Sequence, residues 1–199
     1  MIERAVDAIS RGKSVILPTD TVYGLAASAV REDPVRALYR LKGRQPEQPT
    51  ALIAPDVDTL LEVLPELRGR ARAIARELLP GPYTLVLPNP ARRYRWLAGA
   101  NYDAIGVRVP QLPEPTAAIV RRVTAIAATS ANLPGGAEPR RFEDVPEELR
   151  TAVAIAVDGG ELPGTPSTVL DFTRSDPRVV REGAASSAEA IERALAATA

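Results

Sequence analysis

Apolar residues recur along the chain at two spacings, and the switches between them mark out the elements. Ile2, Val6 and Ile9 form one helical face that ends at Gly12, a glycine suited to the left-handed position after a helix. Ser14 to Leu17 has the length and character of a buried strand, and a polar turn follows it. Asp33-Pro34 predicts a second helix, with Asp as N-cap and Pro at the first helical position, and Val35, Leu38 and Leu41 supply its inward stripe. Lys42 and Arg44 therefore fall at that helix's C-terminus. Ala51 to Ala54 predicts a strand, and Asp56 to Leu64 and Glu66 to Leu79 predict helices parted by Pro65, the second stopped by Pro80-Gly81-Pro82. Strands are expected at Tyr83 to Leu87, Ile105 to Val109, Ala125 to Thr129, Val153 to Val157, Thr168 to Phe172 and Val179 to Arg181. Helices are expected at Glu114 to Arg122, around Phe142 to Arg150, and at Ser187 to Ala197. Strands alternating with helices predict an α/β domain with a mixed sheet. A length of 199 residues favours one domain over 1–199, enough to bury roughly 70% of the unfolded chain's surface.

Composition narrows the chemistry. The 25 Lys and Arg balance the 25 Asp and Glu, so the chain lacks the basic excess of a protein that lives on nucleic acid, and any RNA contact is local or transient. With no Cys and no His, thiol nucleophiles, imidazole acid–base catalysis and thiolate or imidazole metal sites are excluded. The apolar runs are short and the N-terminus does not read as a signal peptide or membrane span, so a cytoplasmic location is expected. Lys13 and Lys42 are the only lysines in a chain that otherwise writes Arg, which suggests that a compact ammonium is required at Lys42.

Three segments gather polar chemistry at the ends of apolar runs. Pro18-Thr19-Asp20-Thr21-Val22-Tyr23-Gly24-Leu25 crowds hydroxyls, a carboxylate and a glycine into what reads as one turn, Lys42-Gly43-Arg44 sets two cations around a glycine, and Thr129-Ser130-Ala131-Asn132 closes another strand. Together they suggest a nucleotide site. Gly159 and Gly164 have the glycine spacing of a phosphate loop, but Thr165-Pro166 stand where Lys and a hydroxyl are needed, and a proline removes a backbone donor from the cradle. That reading is rejected. Lys42, Arg44, Arg108 and Arg181 lie at or near element ends and suit a polyanion. Thr21, Ser130, Asn132 and Ser167 are small polar groups at strand ends that serve either as turn makers and caps or as ligand contacts. Tyr23 reads equally as a ligand contact or as core.

These segments, in this order, resemble the YrdC/Sua5 family of L-threonylcarbamoyladenylate synthases. Pro80-Gly81-Pro82-Tyr83-Thr84, Gly106-Val107-Arg108-Val109-Pro110, Pro166-Ser167-Thr168-Val169 and Val180-Arg181-Glu182-Gly183 extend the resemblance over nearly the whole chain. It implies a strongly twisted mixed sheet with flanking helices and a concave ligand-binding face. The implied reaction condenses L-threonine, bicarbonate and ATP, with Mg2+, to threonylcarbamoyl-AMP and pyrophosphate. The product would pass to a downstream threonylcarbamoyl-transferase complex that modifies transfer RNA, with transient tRNA contact as a further expectation. The resemblance implies that Lys42 and Arg44 are catalytic and, with Ser130, Asn132 and Arg181, hold ATP. Thr21 and Ser167 would line the threonine pocket, Arg108 would pair with the threonine carboxylate in a bidentate fork or else contact the nucleotide, and no protein metal site is implied.

Because the chain ends after the catalytic-type domain, the short bacterial type is expected. Gln45, Ala26 and Ile53 depart from the family's pattern, where a proline, a glycine and, in some longer members, a histidine stand. The hydrogenase-maturation carbamoyltransferases share the implied fold, but their zinc-binding cysteines are absent from this sequence. The alternative functions are a non-catalytic double-stranded-RNA-binding paralogue, which the neutral charge disfavours, and a carbamoyl-adenylate-forming relative. Pro134 to Pro139 and Gly159 to Gly164 are expected to form rims that close over bound ligand.

Overall fold

The computed structural model describes residues 1–198. Its elements, in chain order, are α1 (Ile2–Ser10), β1 (Val15–Pro18), β2 (Tyr23–Ser28), α2 (Glu32–Lys42), β3 (Ala51–Ile53), α3 (Val57–Val63), α4 (Gly69–Leu78), β4 (Tyr83–Pro88) and β5 (Ala104–Arg108). They continue with α5 (Glu114–Val123), β6 (Ile126–Ser130), α6 (Glu147–Ala152), β7 (Ile155–Ala156), β8 (Thr168–Asp171), β9 (Arg178–Arg181) and α7 (Ser187–Ala196). All nine strands join one open mixed sheet in the order β7-β1-β2-β6-β3-β5-β4-β8-β9. The β7–β1, β3–β5 and β4–β8 pairs are parallel and the others antiparallel. No helix among the described residues is long and apolar enough to cross a membrane.

The side-chain alternation of the strands divides the molecule into two layers of unequal character. Leu25, Leu52, Val107, Leu85 and Leu170 bury one face of the sheet. They pack there with Leu38 and Tyr39 of α2, Leu60 of α3, Ile74 and Leu78 of α4, Leu149 of α6 and Ala190 of α7. On the other face Val15, Leu17, Ala26, Ile53 and Ile126 are covered at one end by Ile9 of α1 and by Ile119 and Val120 of α5. Among the described residues, the rest of that second face carries no helix. Its central positions are small, with Ala51 opposite Ala128 and Gly106 opposite Val86, and this leaves a hollow above the sheet.

The main correction to the sequence reading is β2. Pro18 to Leu25 is not one turn: the turn occupies 19–22, and Tyr23 begins a six-residue strand whose every residue is buried. Small residues at 26–28 and Gly24 have weak strand propensity, so only tertiary pairing with β1 and β6 reveals the strand. Asp33 is not an N-cap either. α2 starts at Glu32 after the extended Arg31, which places Asp33 and Pro34 inside the first turn. The helix expected around Phe142 to Arg150 is a short 3-10 turn at Phe142–Asp144 followed by α6, with Pro146 between them. The helix expected from Glu66 begins only at Gly69.

Candidate active site

Gly43 terminates α2 in the left-handed conformation, with φ of 68°, and its amide bonds back to the Arg40 carbonyl. This reversal sends Lys42 and Arg44 from the end of the helix towards the end of β6. Lys42 is only 6% exposed. Its Nζ donates to the Ser130 carbonyl, to Ser130 Oγ at 3.2 Å and to Asn132 Oδ1 at 2.8 Å. Ser130 Oγ in turn lies 2.6 Å from Asn132 Oδ1, and Asn132 Nδ2 donates to the Gly136 carbonyl at 2.6 Å. Burial, reinforced by the neighbouring Arg44 charge and partly opposed by Glu138, lowers the Lys42 ammonium to about 8. Arg44 donates to the Pro49 carbonyl at 2.6 Å and to Thr129 Oγ1 at 3.4 Å, while its buried Nε has no partner among the described residues. Burial also pushes Arg44 below its ordinary value, although a guanidinium stays charged at any working pH.

Arg108, at the end of β5, pairs with Asp20 of the β1–β2 turn at 2.8 Å. Burial raises the Asp20 carboxyl, and Arg108 opposes that rise. Arg181 of the edge strand β9 reaches back to the residue before β8, where its Nε and Nη2 donate to the Ser167 carbonyl at 3.2 and 2.9 Å. Ser167 Oγ shares a hydrogen bond of 2.8 Å with Thr84 Oγ1. This approach depends on Gly183, since a Cβ there would lie 2.3 Å from the Pro166 carbonyl oxygen. Thr21 is buried and its hydroxyl lies 3.2 Å from that of Thr19.

The hollow on the uncovered face is a cavity of about 470 Å3 lined by Thr21, Arg44, Arg108, Ser130, Ser167 and Arg181. A second cavity of about 460 Å3 adjoins it, lined by Lys42 and Asn132, with Arg44 and Ser130 common to both. The fold thus gathers all eight sequence-derived site residues from distant parts of the chain. Tyr23 is excluded from the site. Its ring is fully buried and its hydroxyl bonds to Asp158 and to the Gly160 carbonyl in the neighbouring loop. Sequence reasoning missed Thr84, Asn101 and Glu138, which also line the larger cavity. The alternating burial of β4 would have pointed Thr84 and Val86 to the same face, whereas the long loop carrying Asn101 and the rim carrying Glu138 give no periodic signal.

Residues 7–183 match the model of the Sua5/yciO/yrdC family, described as "Telomere recombination". The chain belongs to that family. A threonylcarbamoyl-AMP synthase of Pyrococcus abyssi is 34% identical over 183 residues, which cover 92% of this chain and 54% of the relative. The chain therefore spans about half the length of that relative. The structure of P. abyssi Sua5 complexed with L-threonine superposes with a TM-score of 0.84 at 35% identity, over 98% of this chain and 57% of that one. Escherichia coli YciO superposes with a TM-score of 0.80 at 27% identity, over 93% of this chain and 90% of that one. The open mixed sheet with flanking helices is thus the fold of the Sua5/YrdC family.

Proposed function

We propose that this chain is an L-threonylcarbamoyladenylate synthase that condenses L-threonine, bicarbonate and ATP to threonylcarbamoyl-AMP and pyrophosphate. The observation that carries this reading is the junction at Arg44 and Ser130. There a cationic cavity holding Lys42 meets one whose far side offers Arg108, Thr21 and Ser167 to a small amino acid. Threonine bound to a Sua5 protein of the same fold supports the amino-acid half, and the synthases among the relatives support the reaction.

In this reading Lys42, Arg44 and Arg181 hold the phosphates, and Ser130 and Asn132 orient the Lys42 ammonium through the hydrogen bonds described above. The threonine amine takes up the carbon of bicarbonate with loss of water, and the resulting carbamate presents an oxygen to the α-phosphorus. The new P–O bond forms as the bond to the β-phosphate breaks, and pyrophosphate leaves with the electron pair. No side chain has to act as nucleophile, which suits a chain without Cys or His. The protein's part is to align the reactants and to neutralise charge on the transferring group. Mg2+ would arrive on the ATP phosphates and supply further charge neutralisation. Among the described residues no three His, Cys, Asp or Glu side chains cluster as a metal site; a Mg2+ ion that keeps its waters and binds ATP phosphates needs no such cluster. The adenylate would then serve a downstream threonylcarbamoyl transferase acting on tRNA, within a cytoplasmic pathway.

Purified protein supplied with ATP, Mg2+ and bicarbonate is expected to release pyrophosphate only when threonine is added. Pyrophosphate release that ignores threonine but responds to another amine or carbamoyl donor would replace this reading with that of a carbamoyl-adenylate-forming relative. Tight double-stranded-RNA binding without turnover would favour the paralogue.

A further inference from the structure

Asp20 lies in the turn between β1 and β2, and none of the ligand roles above uses it. Its side chain is 10% exposed and that of Arg108 is 11% exposed, so the pair is largely withdrawn from water. One guanidinium nitrogen, Arg108 Nη2, donates to both carboxylate oxygens, at 2.8 and 3.0 Å. The contact therefore uses one corner of the planar fork. The remaining donors include a buried Nε with no partner among the described residues, on a side chain that lines the larger cavity. The turn that carries Asp20 is itself fixed. Thr19 Oγ1 donates to the Val22 carbonyl at 2.7 Å, and the Gly164 amide donates to the Thr21 carbonyl at 2.8 Å.

We infer that Asp20 is a positioning residue, which clamps one corner of the Arg108 guanidinium so that its other donors face the carboxylate of an amino-acid ligand in the cavity. The inference rests on the threonine reading above. Two physical consequences follow from the pair. A guanidinium held at Nη2 is restrained in its rotation, so its Nη1 donors are presented in one direction to a planar carboxylate. The pair is also close to neutral, so Arg108 offers hydrogen bonds without a strong field for a polyanion. The phosphates of ATP are left to Lys42, Arg44 and Arg181, none of which forms a salt bridge among the described residues. Burial disfavours the charged form of Asp20, and buried ion pairs are weak contributors to stability. A role in ligand orientation explains the pair better than a role in holding the fold.

The test measures threonine and Mg·ATP binding separately, by calorimetry on the full chain. Asp20→Asn keeps the side-chain volume and is expected to weaken threonine about tenfold or more, with ATP affinity held within about threefold. Asp20→Glu keeps the charge and is expected to retain more threonine affinity than Asp20→Asn, while both give wild-type circular dichroism. In an Arg108→Ala background the Asp20→Asn change is expected to have no further effect on threonine. Unchanged threonine affinity in folded Asp20→Asn would overturn the positioning role. So would an equal loss of ATP affinity, or the same loss in the Arg108→Ala background. Wild-type protein that binds ATP but no threonine would instead overturn the functional reading, and the role of Asp20 with it.

Discussion

Lys42 concentrates the chemistry of the site in one ammonium, buried against three oxygen acceptors and adjacent to a second cation. Lys42→Ala and Arg44→Ala are each expected to slow adenylate formation by on the order of 100-fold or more, the scale of losing one charge-stabilising contact. Single-turnover formation of the adenylate measures it. Lys42→Arg keeps the charge but puts a larger planar head where Ser130 and Asn132 hold a compact one, so it is expected to fail nearly as badly. The lowered Lys42 value of about 8 adds a pH signature. Phosphate binding needs the ammonium, so ATP affinity should fall as pH rises past about 8, by up to about tenfold per unit, and Lys42→Met should lack that fall. The stability effect has the opposite sign. Between about 8 and the ordinary lysine value of 10.5 the unfolded chain binds more protons than the folded one, so Lys42's unfavourable contribution to stability diminishes as pH rises through that window.

At the scale of elements, the sequence was most legible where period and punctuation agree. The helix ended by Gly43 is legible from its Val35 and Leu38 stripe and its glycine, and with it the placement of Lys42 and Arg44 beside each other at a helix end. β2 was illegible because all its residues are buried, those other than Tyr23 and Leu25 are small, and none is β-branched, so neither alternation nor β-branching marks the strand. The Asp20–Arg108 pair was hidden for a different reason: 88 residues separate its members, and no local pattern encodes a contact of that range. The two loops that sequence marks as rims are both anchored at several points. Gly159 to Gly164 is held by the Tyr23 hydroxyl, by the Leu162 amide bond to Arg140 and by the Gly164 amide bond to Thr21. Pro134 to Pro139 is held by Asn132 Nδ2 on the Gly136 carbonyl and by the Tyr23 amide on the Pro139 carbonyl, while Gly135 and Gly160 at the loop tips both face open space. Closure over a hydrolysable mixed anhydride is expected of both loops or at least one. Hydrogen exchange of at least one segment is expected to slow when ATP, Mg2+ and threonine are present together, and equal rates in both with catalysis intact would refute closure.

For the whole molecule, the open sheet has one face given to the core and the other divided between two covering helices and the ligand cavity. A chain of zero net charge still concentrates Lys42, Arg44 and Arg181 around that cavity and the one adjoining it, so ligand charge and protein charge meet there. Binding there should stabilise the whole domain. At a concentration of ATP near 100 times its dissociation constant the gain is about 2.7 kcal/mol, which raises the melting temperature by roughly 5–10 °C for a domain of this size. Thermal melts with and without Mg·ATP should show that shift in wild type and lose most of it in Lys42→Ala. In the proposed reaction the two adjoining cavities join an amino acid, a one-carbon acid and a nucleotide in one product. The most direct measurement supplies 13C-bicarbonate, threonine, ATP and Mg2+ and reads the nucleotide product by mass spectrometry under conditions that preserve an anhydride. An adenylate carrying both threonine and one heavy carbon is expected, whereas an adenylate of threonine without the label, or AMP alone, would contradict the proposed reaction.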